Sequence, residues 1–455
     1  MIRKHWLGVA TALSIFVSST ATAAVSVKEA ERLKADLTPI GAERAGNGSD
    51  IPPWRGGLTL PPLSYQKPGQ HHPDPFPQDK PLFTITSKNM NKYAKYLSEG
   101  EKALFKTYPD TFKMPIFKTR RTASAPEWVY ENTYKNAIRA ELTKDGNGIN
   151  YAFGGIPFPL AKTGIEVIWN HLTRWRSTHF SRRASEVAVQ TNGNYSLVTV
   201  QQEVKFNYYD PSSSIEELDN RLFYYLSFTK APARLAGGAV LVHDPINQVE
   251  EDRQAWGYNA GQRRVRRAPN LSYDTPIAAA DGLRFADDTD MYNGAPDRFN
   301  WKLLGKKEIY IPYNSYRATS NNVKYDDLLQ AGHINPKYTR YEKHRVYVVE
   351  GTLKEGQRHS YSKRVFYIDE DTWGIVLADQ YDKAGELYRV SMAYVKNYYE
   401  VPATINSLDV FHDLKARRYH VQGLDNEERS TVDFSVDMPG DRYFTPAELR
   451  RRGRR

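Results

Sequence analysis

The spacing of apolar residues changes character near residue 185. Before that point, apolar positions recur at steps of three and four, the period of a helix lying on a core. Met90, Tyr93, Ala94 and Leu97 make one such stripe, and Ser87 is placed to cap a helix over Lys88–Leu97. Ser98 and Glu101 form a capping box opening a second helix that runs to about Tyr108, and Ser26 with Glu29 forms another ahead of Val27–Leu37. Pro126 suits a first helical position and opens a helix through about Arg139. The best defined helix follows Thr163 and Glu166, with Ile165, Ile168, Trp169, Leu172 and Trp175 on one face and Asn170, His171 and Arg174 off it. It is expected to span Thr163–Arg176.

From Ser185 onward the period becomes two, the period of strands. Val187 and Val189 lead into Asn192-Gly193, a strong hairpin signal, and Tyr195–Tyr208 is the return arm. Further strands are expected at Leu222–Thr229, Arg234–His243, Arg253–Tyr258 and Asn300–Tyr310. The clearest run is Arg345–Leu353, Ser360–Ile368, Trp373–Tyr381 and Leu387–Tyr399. The links Lys354–Gln357, Asp369–Thr372 and Asp382–Glu386 are too short for parallel crossovers, so the sheet is an antiparallel meander.

One strand pair breaks the pattern. Trp256 and Tyr258 share a face, Gly261 offers turn freedom, and the return arm reads Arg263-Arg264-Val265-Arg266-Arg267. Neither face of that arm is wholly apolar, so it is not an ordinary core strand. Its arginines require carboxylates, an anionic ligand or water. Asp287, Asp288 and Asp290 are the nearest acidic cluster, and we expect them to form a charge network with Arg267.

Composition narrows the setting. The first 23 residues carry a basic start (Arg3, Lys4), an apolar run and Ala21-Thr22-Ala23, the features of a secretory signal peptide. With no cysteine there is neither a disulfide nor a lipidation site. We therefore expect a periplasmic, unlipidated protein. A net charge of +10 over 455 residues implies anionic contacts, and export makes nucleic acid an unsuitable one. Thr38–Pro81 is rich in Pro and Gly and reads as an arm laid over the body, anchored by Trp54 and Tyr65. The expected divisions are a signal peptide (1–23), an N-terminal arm with helices (24–162), a helix with the curved sheet (163–425), and a basic tail (426–455). The arginine-rich end of that tail, from Arg450, is expected to fray.

The search for chemistry finds no catalytic residue. There is no cysteine nucleophile and no G-x-S-x-G elbow. Asp145–Pro159 is Gly-rich but lacks G-K-[ST]. Asp287–Gly294 resembles a calcium loop but has Tyr292 at a ligand position and no closing glutamate, so no metal is expected. His171 and His179 are too far apart in sequence for a helical zinc pair. No cofactor is implied. What remains is an aromatic-rich sheet that either packs solid or encloses a cavity. For the cavity, Trp169, Trp175, Tyr224, Trp256, Tyr258, Trp301 and Tyr310 are candidate wall residues, with Arg264 and Arg266 at the rim.

The Trp256–Pro269 block followed by Asp287–Asp290 resembles a pattern of outer-membrane lipoprotein-sorting proteins related to the Lol carriers. Tyr367–Trp373, Gln380-Tyr381-Asp382 and Gly385-Glu386-Leu387 resemble a hairpin those proteins share. Over nearly all of the chain, the sequence is similar to an uncharacterised Gram-negative envelope family, domain of unknown function 1329. Ile51–Gly57, Phe153–Pro159, Ile168–His171 and Ala231–Gly238 match its blocks. These resemblances imply an α+β fold, with a strongly curved antiparallel sheet forming an open, unclosed barrel covered by helices. They imply carriage of a lipid, lipoprotein or other hydrophobic ligand without catalysis. Hiding ~16 methylenes from water would be worth roughly 13 kcal/mol. Two alternatives stand beside this: a non-carrying accessory of an outer-membrane barrel or exporter, and an envelope glycan or lipid hydrolase. An anionic membrane surface is a further possible partner.

Overall fold

The computed structural model describes residues 24–268 and 273–453. The expected signal peptide lies outside the described residues. Fifteen strands build one sheet. They are β1 (Phe83–Ile85), β2 (Met114–Ile116), β3 (His179–Val189), β4 (Leu197–Lys205), β5 (Arg221–Ala231), β6 (Ala239–Pro245), β7 (Gln254–Asn259) and β8 (Arg264–Arg267), then β9 (Phe299–Pro312), β10 (Tyr341–Leu353), β11 (Lys363–Asp369), β12 (Ile375–Tyr381), β13 (Leu387–Tyr398), β14 (Ala403–Asp413) and β15 (Arg418–Leu424). Four helices exceed seven residues: α1 (Glu99–Thr107), α2 (Glu127–Arg139), α3 (Gly164–Thr173) and α4 (Pro446–Gly453).

Two antiparallel meanders, β3 to β8 and β10 to β15, make up most of the sheet. They join where β15 pairs with β3, from Tyr419 opposite Val189 to Leu424 opposite Ser185. β9 lies on the other side of β10. The only parallel contact among the described ladders is a single bridge between Tyr341 and Ile116. The sheet is curved and does not close, and β8 is a free edge that pairs only with β7 among the described residues. A strand rich in arginine on both faces is tolerated at such an edge because its side chains reach water.

All three capping boxes form, at Ser26, Ser98 and Thr163. Several elements differ from the periodicity. Lys88–Leu97 is one α-helical turn, Met90–Tyr93, followed by a 3-10 turn; Ser87 does not cap it but donates its hydroxyl to the Pro109 carbonyl at 2.7 Å. Pro126 is the residue before α2 rather than its first. The strand expected from Arg234 begins at Ala239, because residues 232–238 are taken up by a turn. β14 and β15 escaped the pattern altogether. Both carry buried polar residues with partners on a neighbouring strand: the Ser407 hydroxyl donates to the Tyr394 carbonyl across the hairpin, and His420 faces Glu186, more than two hundred residues earlier.

α3 ends at Thr173 and is buried all round rather than on one stripe. Asn170 satisfies both halves of its amide on the Phe158 backbone, at 2.9 and 2.7 Å. Gly164 opens the helix where a Cβ would come within 2.9 Å of the Trp301–Lys302 backbone, so only glycine lets α3 approach β9 this closely. The arm at 38–81 crosses the body with Trp54 donating to the Ala123 carbonyl and Tyr65 to Glu400. α4 is docked rather than frayed, with Leu449 buried and Arg452 paired to Glu203.

Candidate functional site

The period-two pattern gives β3 to β6 two faces with different fates. One face places Leu226, Phe228, Leu241 and, on the neighbouring β7, Trp256 beneath α4 and Phe444, where they make a small apolar core. The other places Val198 and Val200 on β4, Phe223 and Tyr225 on β5, and Val240 and Val242 on β6 around a cavity of about 500 Å³. A roof segment, Pro276–Asn293, lies across it, contributing Ile277, Ala278, Ala279 and Ala286. The volume falls within the roughly 300–1,000 Å³ typical of small-molecule sites. The hollow exists because its wall and roof are mostly short side chains. A second, open depression of about 790 Å³ shares Val198, Thr229, Ala278 and Ala279 with the cavity and reaches the tips of the β3–β4, β5–β6 and β7–β8 hairpins.

A few polar groups interrupt the apolar lining. Glu186 accepts from His420 at 3.1 Å and from Arg284 at 3.4 Å. Burial pushes the Glu186 carboxyl up, but His420 and Arg284 outweigh it and hold it below its ordinary value. Arg284 is 5% exposed and also donates to Thr289 at 2.7 Å. Among the described residues its buried Nε has no hydrogen-bond partner, and neither has the buried Oε1 of Gln422, another lining residue.

The roof is held down by the acidic run at 287–290, although not by the arginines first expected. Asp287 Oδ2 accepts from Arg364 at 2.6 Å and from His359 at 3.0 Å. Burial raises that carboxyl's pKa, yet Arg364 and His359 prevail and bring it to about 2. Asp288 accepts from the Tyr361 hydroxyl at 2.9 Å and the Phe285 amide at 2.8 Å. Asp290 takes Arg174 and Arg176, both at 2.5 Å, with its backbone in the left-handed region at φ 56°. Arg264, Arg266 and Arg267 stand exposed on β8 and form no ion pair with any of these carboxylates, which corrects the proposed Arg267 network. The left-handed residue of the β7–β8 turn is likewise Arg263, at φ 52°, not Gly261.

None of the nine residues expected at the wall or rim lines the cavity. Trp169 is fully buried and donates to the Gly146 carbonyl at 2.9 Å, while Trp175 donates to the Pro402 carbonyl and packs edge-on against Trp128. Tyr224 stacks on Phe444, and Trp256 meets His243. Trp301 donates to the Pro296 carbonyl beside Tyr292, and Tyr310 packs among Phe83, Tyr93 and Tyr96. Tyr258 borders the outer depression, but its ring lies against Gly453. The physical reason is that large rings fill space. The sequence signal for the hollow was the β-branched alternation at Val198/Val200 and Val240/Val242, which marks a face without filling it.

His171 is buried in the core: Nδ1 accepts from the Ile375 amide at 3.1 Å and Nε2 donates to the Tyr292 carbonyl at 3.0 Å. Burial and the neighbouring Arg174 push its pKa down to about 3. One group of metal-ligand type is His344, Asp369 and Asp371, which the sequence did not single out. Both oxygens of Asp371 are taken by Arg121, at 2.8 and 2.6 Å, and the imidazole stacks under Tyr313 at 3.9 Å. That is the arrangement of a structural ion network. Among the described residues, no helix is long and apolar enough to cross a membrane.

A family model described as Protein of unknown function (DUF1329) matches residues 84–450. The chain belongs to the DUF1329 family. This DUF1329 chain is 47% identical over 443 residues to the uncharacterized protein PA3922 of Pseudomonas aeruginosa, covering 97% of each. It is similar to the crystal structure of a DUF1329 family protein from Desulfovibrio piger, with 17% identity, 60% of this chain and 92% of that one covered, and a TM-score of 0.41. It is also similar to that of a putative outer membrane lipoprotein-sorting protein domain from Vibrio parahaemolyticus, with 14% identity, 63% and 98% covered, and a TM-score of 0.42. At these scores the likenesses say nothing of ligand or activity. The DUF1329 match runs across the boundary expected at residue 162, and β1 and β2 from the N-terminal side belong to the main sheet.

Proposed function

We propose that this DUF1329 protein is an exported carrier that holds one hydrophobic ligand, a lipid or acylated molecule, in the cavity beneath Pro276–Asn293. The observation that carries this reading is an apolar hollow of about 500 Å³ with the Arg284 side chain as the cation on one end of its wall beside Glu186. The valine-lined wall takes the hydrocarbon, and Arg284 donates to a carbonyl, carboxylate or phosphate oxygen at the ligand's polar end. Glu186, the carboxylate on the lining, is already engaged by His420 and Arg284 and is not free to serve as a general base for the serine and threonine hydroxyls there. That favours binding over turnover. The expected periplasmic location rests on the signal-peptide features of residues 1–23.

The test is native mass spectrometry of the gently purified protein, followed by titration of the delipidated form with a fluorescent fatty acid. A one-to-one co-purified amphiphile and saturable probe binding are expected. A protein that emerges empty and fails to bind the probe sinks the proposal.

A further inference from the structure

The two ends of the β3–β8 meander carry opposite charge. Antiparallel connection sends the links 190–196, 232–238 and 260–263 to one end of the strands and the links 206–220 and 246–253 to the other. Around the first end stand Lys230, Arg234, Arg263, Arg264, Arg266 and Arg267, and the stretches 190–196, 230–238 and 259–267 contain no carboxylate. All six cations are exposed, and none forms an ion pair among the described residues. The links 206–220 and 246–253 at the opposite end carry seven carboxylates against one arginine, Arg253, which is paired with Asp244; of the seven, Asp210 and Glu251 are paired with Lys205 and Arg221 and the other five form no ion pair among the described residues. The open depression leading from the cavity emerges at the cationic end. The carboxylate that borders it, Asp281, is already paired with Arg418. Leu235, at the β5–β6 tip between these cations, is 40% exposed.

We infer that this basic rim is a docking surface for an anionic phospholipid bilayer, which sets the cavity mouth against the membrane. The inference rests on the carrier reading for its purpose but not for its test. Charge complementarity is the argument. Six unpaired cations on one end are attracted to anionic headgroups, the seven carboxylates at the far end are repelled, and the molecule is therefore oriented as well as bound. The apolar tip at Leu235 can enter the headgroup region once the arginines have engaged. Direct contact at the mouth removes the need for the ligand to cross water.

Co-sedimentation of the full chain with vesicles tests this. Binding is expected with phosphatidylglycerol mixed into phosphatidylcholine, is absent with phosphatidylcholine alone, and is lost at high ionic strength. The variant R263Q/R264Q/R266Q/R267Q is expected to partition about fivefold more weakly for each arginine replaced. The far-end variant E216Q/E217Q/D252N should bind at least as well as the native chain. All seven positions lie on β8 or on connecting loops, and matched thermal unfolding of both variants confirms that folding is intact. The inference is overturned if the native chain ignores phosphatidylglycerol, if the four-arginine variant binds undiminished, or if the chain binds polyglutamate but not vesicles. Fatty-acid titration without vesicles is a separate readout. Loss of probe binding alone removes the carrier reading, and loss of vesicle binding alone removes the docking surface.

Discussion

Arg364 Nη2 lies 2.6 Å from Asp287 Oδ2 in a pair buried from solvent on both sides, and this contact fastens the roof of the cavity to β11. Asp290, with Arg174 and Arg176, fastens the same segment to the turn after α3. A roof held by buried ion pairs stays in place when the hollow beneath it is empty.

Removing one partner of the first pair strands the other charge in the interior. Asp287→Asn is expected to lower stability by about 3–5 kcal/mol. Arg364→Met combined with Asp287→Leu should recover part of that loss, because neither charge then remains buried alone. Urea unfolding of Asp287→Leu, Arg364→Met and their double gives the coupling directly.

Cavity and core respond differently to substitution. Val242→Trp projects a ring into the hollow and should weaken fatty-acid binding at least tenfold with little change in stability. Trp169→Ala should do the reverse, costing about 3–5 kcal/mol of stability while the folded fraction binds the probe normally. Probe titration beside thermal unfolding separates the two. Equal loss of binding in both variants would place the ligand elsewhere.

Asp409 sets a pH limit on stability. Burial, reinforced by the charge of Asp290, pushes its carboxyl up to about 7 from an ordinary 3.8. A pKa raised by folding means the folded state binds the proton more tightly. The contribution is fully present below about pH 4 and is lost as pH rises through 7. Asp409→Asn should remove that slope, leaving the variant roughly 4 kcal/mol less pH-sensitive between pH 4 and 8. Asp287 has the opposite sign: its pair stabilises above the ordinary carboxylate pKa and is lost as pH falls toward 2. Unfolding free energy measured across pH 2–8 reads both limbs.

Thr163 caps α3 by accepting from the Glu166 amide at 3.4 Å while Glu166 accepts from the Thr163 amide at 2.9 Å. Thr163→Ala is expected to cost about 1 kcal/mol, measurable as a shift in the urea midpoint.

Local rules carried the reading of the fold a long way. Ser98–Glu101 and Thr163–Glu166 announced their helices because a capping box is complete within four residues. The five-residue links after Asp369 and Tyr381, and the nine-residue link after Leu353, are too short for a parallel crossover and required antiparallel pairing for the same reason of short range. What was lost depended on distant partners. β14 looked too polar until its depth was known, since Asp409 and His412 are buried by strands and loops that no window of sequence contains. The site failed for a subtler reason: Trp256 and Tyr224 do face something apolar, but it is α4 and Phe444 on the far side of the sheet. Alternation says that a strand has two faces and leaves open which of them is packed and which is hollow.

The pairing of β15 with β3 brings Arg418–Leu424 beside Ser185–Val189, more than two hundred residues earlier in the chain. During synthesis, then, the strand that seals the centre of the sheet emerges more than two hundred residues after its partner β3. Until it arrives, β3 presents bare amides and carbonyls able to pair with any passing extended segment. Maturation of this molecule therefore sets the arrival of β15 against intermolecular association at β3, a consequence of chain connectivity rather than of the strength of any single contact.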